Sequence, residues 1–334
     1  MGCVVHGPPR WAARGVCAAA LVGGAVLLAP PPHGVVRVER FFAPSLGVEK
    51  HYVVYLPPSY ATTPRRRYPV AYYLHGLWGA ESDWVALAGI DVVADSLIAA
   101  GSPEMILVMP DGDDGWYTNW ATSRDYATCA GDTLVTRAAP TYCVAQPRYE
   151  DYIAGDLVRH IDTTYRTLAD RRHRGIAGLS MGGYGAVTLA LEHPDRFAAA
   201  ASHSGVLAPL YAGPHPYSAP AHRFGSMDSL ATSWGGVWLL IAPAFGATLA
   251  SWEARDPGGM ARRLQAAGGP VPALYLDAGA QDALGDQSRA FHAELTALGI
   301  PHTYVEWPGK HDWRYWSSHV GESLRWLGEQ IGGR

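Results

Sequence analysis

The sequence predicts an α/β domain built on a mostly parallel central sheet of about eight strands, with helices on both faces. Three observations carry that reading. The chain is 334 residues long and 48% hydrophobic, enough for one large core, and α/β domains of this size commonly stay single. Short apolar runs bounded by Gly, Pro or Asp alternate with longer segments of helical period, the order expected of strand–helix units. The formal net charge is −4, and without a long Lys/Arg run there is no electrostatic footprint for nucleic acid.

The N-terminus stands apart. Arg10 and Arg14 precede an apolar run from Val16 to Ala29, which ends at Pro30-Pro31-Pro32. Basic, apolar, then a breaker is the order of an export signal. Residues 1–34 are therefore expected to be a signal or an uncleaved anchor, and the protein to be secreted or periplasmic. The run is shorter than the roughly 20 residues of a spanning helix. Cys3 and Cys17 fall in this leader, which leaves Cys129 and Cys143. In an oxidising compartment these two could close a loop of about 14 residues, although two unpaired thiols would also fit.

The remaining 35–334 reads as one α/β domain. Two β-rich stretches, Val35 to Phe42 and Lys50 to Leu56, open it. Apolar strands follow at Tyr68 to Leu74, Met105 to Met109, Gly175 to Leu179, Ala198 to Ser202, Ala273 to Leu276 and Thr303 to Trp307. Helical patterns lie between them at Ile90 to Ala99, Asp151 to Tyr165, Gly182 to Glu192, Gly259 to Ala267, Gln287 to Leu298 and Trp313 to Ile331. In the second of these, Ile153, Leu157, Ile161 and Tyr165 recur every four positions and so share one face. Arg65-Arg66-Arg67, between Pro64 and Pro69, reads as a solvated loop. One segment breaks the rhythm: Val206 to Ser251 is rich in Pro, Gly and aromatics and carries the apolar stretch Val237 to Phe245. It is expected to be an insertion or lid, or else a peripheral subdomain away from substrate.

Ligands of such sheets bind at the carboxyl ends of the strands, so the loops there are where chemistry is expected. Gly178-Leu179-Ser180-Met181-Gly182 fits the nucleophile-elbow pattern of the α/β-hydrolase fold, in which flanking glycines let a sharp strand-to-helix turn close. The motif follows a predicted strand and opens a predicted helix, as that chemistry requires. A serine hydroxyl needs a base within hydrogen-bond reach, normally a histidine oriented by a carboxylate. Of the 14 histidines, His311 is best placed, after the last strand and before the last helix. His302, His292 and His319 read as surface or packing residues, and His203 as a residue that could line the site. Leu276-Asp277-Ala278-Gly279-Ala280-Gln281-Asp282 offers two acids: Asp282 is preferred because it lies out in the turn, whereas Asp277 ends the strand and would hold the loop by bonding backbone amides. Asp312 reads as a helix cap. Two backbone amides are expected to stabilise a developing oxyanion, that of Met181 at the helix start and that of Leu77 in His75-Gly76-Leu77-Trp78-Gly79. His75 reads as a stabiliser of that loop.

These pieces resemble the putative esterase family of α/β-hydrolases, which holds esterase D-like S-formylglutathione hydrolases, bacterial feruloyl esterases and the antigen 85 mycolyltransferases. The resemblance rests on Val54-Tyr55-Leu56-Pro57-Pro58-Ser59-Tyr60, Tyr73-Leu74-His75-Gly76, Gly178 to Gly185, Gly279-Ala280-Gln281-Asp282 and Gly309-Lys310-His311-Asp312-Trp313. It implies a Ser180, Asp282, His311 triad, an oxyanion hole from Leu77 and Met181, and no metal or organic cofactor. Mycolyltransferases carry an Asp-Gly where this chain has His75-Gly76 and lack the Leu-Pro-Pro segment. S-formylglutathione hydrolases work in the cytosol, which the export signal disfavours. The expected substrate is a small-molecule ester, carbohydrate-linked or otherwise, with feruloyl-type acyl groups among the candidates. Trp116, Tyr117 and Trp120 are expected to stack on an aromatic acyl group or a sugar, with ordinary packing as the alternative. Two rival functions remain: an acyltransferase to a sugar or alcohol, and a silent, glycan-binding hydrolase-fold protein. The latter should lack a triad member, and none is missing.

Overall fold

The alternating apolar runs become one eight-stranded sheet. A computed structural model describes residues 33–123, 129–130 and 142–333, so the expected leader lies outside the described residues. The strands are β1 (Val35–Ala43), β2 (Val48–Leu56), β3 (Val70–Leu74), β4 (Ile106–Pro110), β5 (Arg174–Leu179) and β6 (Ala199–His203). After a small two-stranded ribbon, β7 (Tyr211–Gly213) and β8 (His222–Arg223), come β9 (Ala273–Gly279) and β10 (His302–Trp307). Their order in the sheet is β1-β2-β4-β3-β5-β6-β9-β10. From β4 to β10 all neighbours run parallel, while β1 and β2 form an antiparallel edge.

Side-chain alternation splits the core into two layers. On β3, Val70, Tyr72 and Leu74 face the layer that also holds Met181, Leu189, Met260 and Phe291. Ala71 and Tyr73 face the other, with Ile90, Val320, Leu324 and Leu327. Because helices cover both faces, β3 to β6 are buried along their whole length, as parallel central strands must be.

The helices Ile90–Ala99 and Trp313–Ile331 have the bounds that their periodicity predicts. Two expectations shift for physical reasons. The third strand begins at Val70 rather than Tyr68 because Pro69 has no N–H to give the ladder, and Tyr68 makes only an isolated bridge to Thr167. The helix expected from Asp151 to Tyr165 starts at Tyr149, widens to i→i+5 bonding over Tyr152–Leu157, and returns to α over Val158–Thr164. Ile153, Leu157 and Ile161 are buried as a single face. The segment 206–251 holds the ribbon and the helices Met227–Trp234, Trp238–Phe245 and Leu249–Ala254; Ser226 and Thr248 cap the first and last of these.

Cys129 and Cys143 form a disulfide across 14 positions. Loop-closure entropy gives such a link a stabilisation of about 3 kcal/mol. Replacing both by serine is therefore expected to lower the unfolding free energy by about that amount, read from urea unfolding extrapolated to water, with a steeper slope because the unlinked denatured chain exposes more surface.

Candidate active site

The elbow is a backbone feature before it is a chemical one. Ser180 joins β5 to the helix Met181–Glu192 with φ 52 and ψ −117, a conformation that an L-residue adopts only when its surroundings enforce it. Glycine on both sides makes the turn possible. A Cβ on Gly178 would lie 2.3 Å from the Gly182 carbonyl oxygen, and one on Gly182 would lie 2.4 Å from the Leu74 oxygen and 2.5 Å from that of His75. The start of the helix thus packs directly on the end of β3. The turn is further tied by Ser180 N–H donating to His203 O at 2.9 Å and Tyr184 N–H donating to Ser180 O at 3.0 Å.

Three side chains meet at this turn although their positions in the chain are far apart. His311 Nε2 lies 2.9 Å from Ser180 Oγ, and His311 Nδ1 lies 3.1 and 3.0 Å from the two Asp282 oxygens. The carboxylate can only accept, so the ring proton sits on Nδ1 and Nε2 is left to accept from the serine hydroxyl. The Asp282 side chain is fully buried, whereas His311 keeps 29% of its exposure. Burial pushes the Asp282 carboxyl up, but the His311 hydrogen bond and charge and the Leu284 N–H, 2.7 Å from Oδ1, outweigh it and hold the group below its ordinary value.

The acid and base loops are built as a unit. Gln281 N–H donates to Gly309 O at 2.9 Å, and Gly309 N–H donates to Gln281 Oε1 at 3.0 Å. A Cβ on Gly279 would meet the Gly309 oxygen at 2.4 Å, which accounts for glycine at that position. Asp312 caps the last helix by accepting from Tyr315 N–H at 3.0 Å. Asp277 is not the partner of His311. It stays in β9 with its carboxylate 2.7 Å from His203 Nδ1 and accepting from Tyr315 OH at 3.0 Å. Its role toward the backbone amides is limited to its own carbonyl, which accepts from Ser204 N–H. His203 is fully buried and does not line the site.

The loop after β3 lies against the nucleophile: a Cβ on Gly76 would be 3.5 Å from Ser180 Cβ. His75 secures this loop by donating Nδ1–H to Gly76 O at 2.8 Å and accepting from Gly112 N–H at Nε2, 2.9 Å away. Polar groups after β4 hold it from below, and sequence reasoning missed them. Asp114 Oδ1 accepts from Trp78 N–H at 2.7 Å, and Tyr142, next to the disulfide, donates to Asp114 Oδ2. The buried Lys50 ammonium lies 2.8 Å from Asp111 and 2.7 Å from Asp113. Burial opposes the charge on Asp111, but the Lys50 ammonium beside it holds its carboxyl well below the usual range. The available signal was the acidic run Asp111-Gly112-Asp113-Asp114, together with a lysine in the strand Val48–Leu56.

Ser180 and His311 open into a cavity of about 630 Å³. Its lining includes Leu87, Trp116, Val206, Trp234, Val237, Trp313 and Trp316. Leu77 and Trp78 also line it, and among the described residues the ionisable groups of the lining are His311 and Asp83. Of the three aromatics expected to contact substrate, only Trp116 lines the cavity. Tyr117 is buried beneath it with its hydroxyl on His75 O, and Trp120 turns its indole N–H to Gly115 O. The aromatics that take their place, Trp234, Trp313 and Trp316, lie far along the chain, where no local pattern marks them. Among the described residues, no group of three His, Cys, Asp or Glu is placed to hold a metal ion.

A parallel sheet with a serine elbow at its carboxyl edge, faced by a histidine from the last loop, defines the architecture of the α/β-hydrolases. The chain belongs to the family described as "Putative esterase", which it matches over residues 43–327. It is 30% identical over 282 residues to Esterase Rv1288 of Mycobacterium tuberculosis (strain H37Rv), an alignment that covers 82% of this chain. The chain spans about half the length of that relative, 55%. It is also 22% identical to an acetyl esterase of Caldicellulosiruptor saccharolyticus over 258 residues, 77% of this chain and 82% of the other. Among solved structures, a ferulic acid esterase superposes with a TM-score of 0.61 at 26% identity, covering 89% of this chain and 99% of that one. The fluorophosphonate-binding serine hydrolase F of Staphylococcus aureus gives 0.64 at 21%, with the same coverages; at that identity the likeness concerns the fold.

Two outcomes follow from the packing and charge of the site. Gly182→Ala forces the end of β3 away from the helix and is expected to destabilise by about 1–3 kcal/mol, read from thermal unfolding. Asp282 is held below its unfolded value, so its ionised form adds stability above about pH 3.9, and this is lost as pH falls through the depressed folded value. Asp282→Asn should therefore flatten the acid limb of stability against pH, measured by urea unfolding from about pH 6 to about pH 2.

Proposed function

We propose that this protein is a serine carboxylic-ester hydrolase that works through an acyl-enzyme. The observation that carries the reading is the contact of 2.9 Å between His311 Nε2 and Ser180 Oγ, with Asp282 on the other ring nitrogen. His311 takes the hydroxyl proton as Ser180 Oγ adds to the ester carbonyl, and Asp282 holds the ring in the required tautomer and offsets the charge it gains. The backbone amides of Met181, at the helix start, and Leu77, on the loop pressed against Ser180, are assigned to the oxyanion. Collapse of the tetrahedral adduct expels the alcohol with the proton from His311, and the same histidine then activates water to release the acid. No step calls for a metal or an organic cofactor.

The cavity argues for the substrate class. Its lining is largely aliphatic and aromatic and, among the described residues, contains no Lys or Arg, which suits a neutral acyl group, aromatic or aliphatic, and disfavours anionic partners such as a glutathione conjugate. A feruloyl-type acyl group stacked on Trp116 is a member of this class, and the ferulic acid esterase among the structural neighbours lends it support. The segment 206–251 is assigned to shaping this cavity, because Val206, Trp234 and Val237 stand in its wall. Export to an oxidising compartment is part of the reading. It is supported by the basic–apolar–Pro order of the N-terminus and by the Cys129–Cys143 disulfide.

Ser180→Ala is expected to lower turnover of a chromogenic ester by at least about a thousandfold with the fold intact, and to abolish labelling by a fluorophosphonate. Unchanged turnover in this variant would exclude the assignment. In a panel of acetyl, butyryl, feruloyl and longer acyl esters, apolar acyl groups should give the higher kcat/KM, and S-formylglutathione should be poor. Adding alcohols and looking for transesterified product distinguishes hydrolysis from acyl transfer.

A further inference from the structure

A second chain of serine, histidine and aspartate lies beside the first, fully buried. Ser323 Oγ is 2.8 Å from His203 Nε2, and His203 Nδ1 is 2.7 Å from Asp277 Oδ2, a close polar contact that lacks hydrogen-bond alignment. All three residues are at most 1% exposed, so no ester can reach Ser323. The arrangement is one of reactive groups without access, and its purpose must lie in what it holds.

What it holds is both halves of the reacting pair. The His203 carbonyl accepts the Ser180 N–H at 2.9 Å, and the Asp277 carbonyl accepts the neighbouring Ser204 N–H at 2.7 Å. His203 and Asp277 are direct neighbours across β6 and β9, so their side-chain contact fixes the two strand ends from which the nucleophile is tied. The second Asp277 oxygen accepts from Tyr315 OH at 3.0 Å. Tyr315 forms the floor of the His311 loop: a Cβ on Gly309 would strike its ring at 2.5 Å, and its N–H is held by Asp312. Burial, together with the Asp277 carboxylate, pushes the Tyr315 hydroxyl well above its ordinary value, so it stays protonated and can only donate to that oxygen. A continuous path therefore runs from Ser180 N–H through His203 and Asp277 to Tyr315 and the loop that carries His311.

We propose that His203, Asp277 and Tyr315 are positioning residues that set the separation of Ser180 Oγ and His311 Nε2. This rests on the esterase reading for its kinetic consequence but not for its structural one. Loss of the Tyr315 hydroxyl frees the loop floor without opening a cavity, and loss of alignment is costly to the reaction while leaving the apolar cavity intact.

The test compares Tyr315→Phe with Tyr73→Phe. The latter removes an equally buried hydroxyl at the far end of the same network, 3.2 Å from Ser323 Oγ. Tyr315→Phe is expected to lower kcat for a soluble aryl ester about tenfold with KM nearly unchanged, and to slow fluorophosphonate labelling by the same factor. Tyr73→Phe should leave both unchanged, even where the two variants lose the same thermal stability. Independently of turnover, the downfield proton NMR signal of His311 Nδ1–H against Asp282 should weaken in Tyr315→Phe and persist in Tyr73→Phe. Equal losses in the two variants, or an unaltered His311 signal in Tyr315→Phe, would overturn the proposal. A wild-type protein that resists the fluorophosphonate would overturn the esterase reading instead, while the NMR comparison would still decide the positioning role.

Discussion

The active-site architecture depends on one backbone turn. At φ 52 and ψ −117, Ser180 sits where an ordinary side chain costs of order 1–3 kcal/mol, and the turn closes only because residues 178 and 182 have no Cβ to collide. The same closeness presses the helix Met181–Glu192 onto the end of β3. The loop after that strand is thereby carried to the serine, and a hydroxyl, a helix start and a backbone loop come to share a few ångströms at the carboxyl edge of the sheet.

Strain of this kind is not confined to the nucleophile. Trp78, Asp113, Trp116, Tyr117 and Ser204 also adopt positive φ, and all fall in the loops after β3, β4 and β6. Such conformations persist when surrounding contacts over-determine them. Here the contacts are polar and buried: Lys50 between Asp111 and Asp113, Asp114 on the Trp78 amide, and His75 on the Gly112 amide. A buried charge unpaired by mutation is far more costly than one never placed there, so these groups are expected to behave as sets rather than as independent contributions. Sealing them beneath the loops keeps the loop backbones still where the chemistry needs fixed dipoles.

The fold was legible because burial writes itself into local pattern. Six strands of the main sheet follow from short apolar runs and the two at its antiparallel edge from β-rich stretches, and the long helices from period and caps. Ser180, His311 and Asp282 were legible because chain order and strand ends constrain where such groups can lie, and the structure brings these three together. What could not be read were contacts between distant segments. Nothing near Trp116 in the chain shows that it lines a cavity while Tyr117 and Trp120 support it. Nothing near Trp234 or Trp316 marks them as part of its lining. The i→i+5 widening at Tyr152–Leu157 likewise leaves the apolar spacing almost unchanged, so periodicity cannot detect it. Asp277 and His203 were visible as candidates, but their partners Tyr315 and Ser323 sit on a helix whose own sequence explains it without them.

The segment 206–251 contributes Val206, Trp234 and Val237 to the cavity but none of the groups that exchange protons or bonds. Part of the cavity lining is thus encoded apart from the reacting groups, while Trp313 and Trp316 lie close to His311 in the chain. Substitutions accumulating in this segment can alter which molecules gain entry while the bond-making apparatus stays as it is, a division that lets one scaffold diversify its diet without relearning its chemistry.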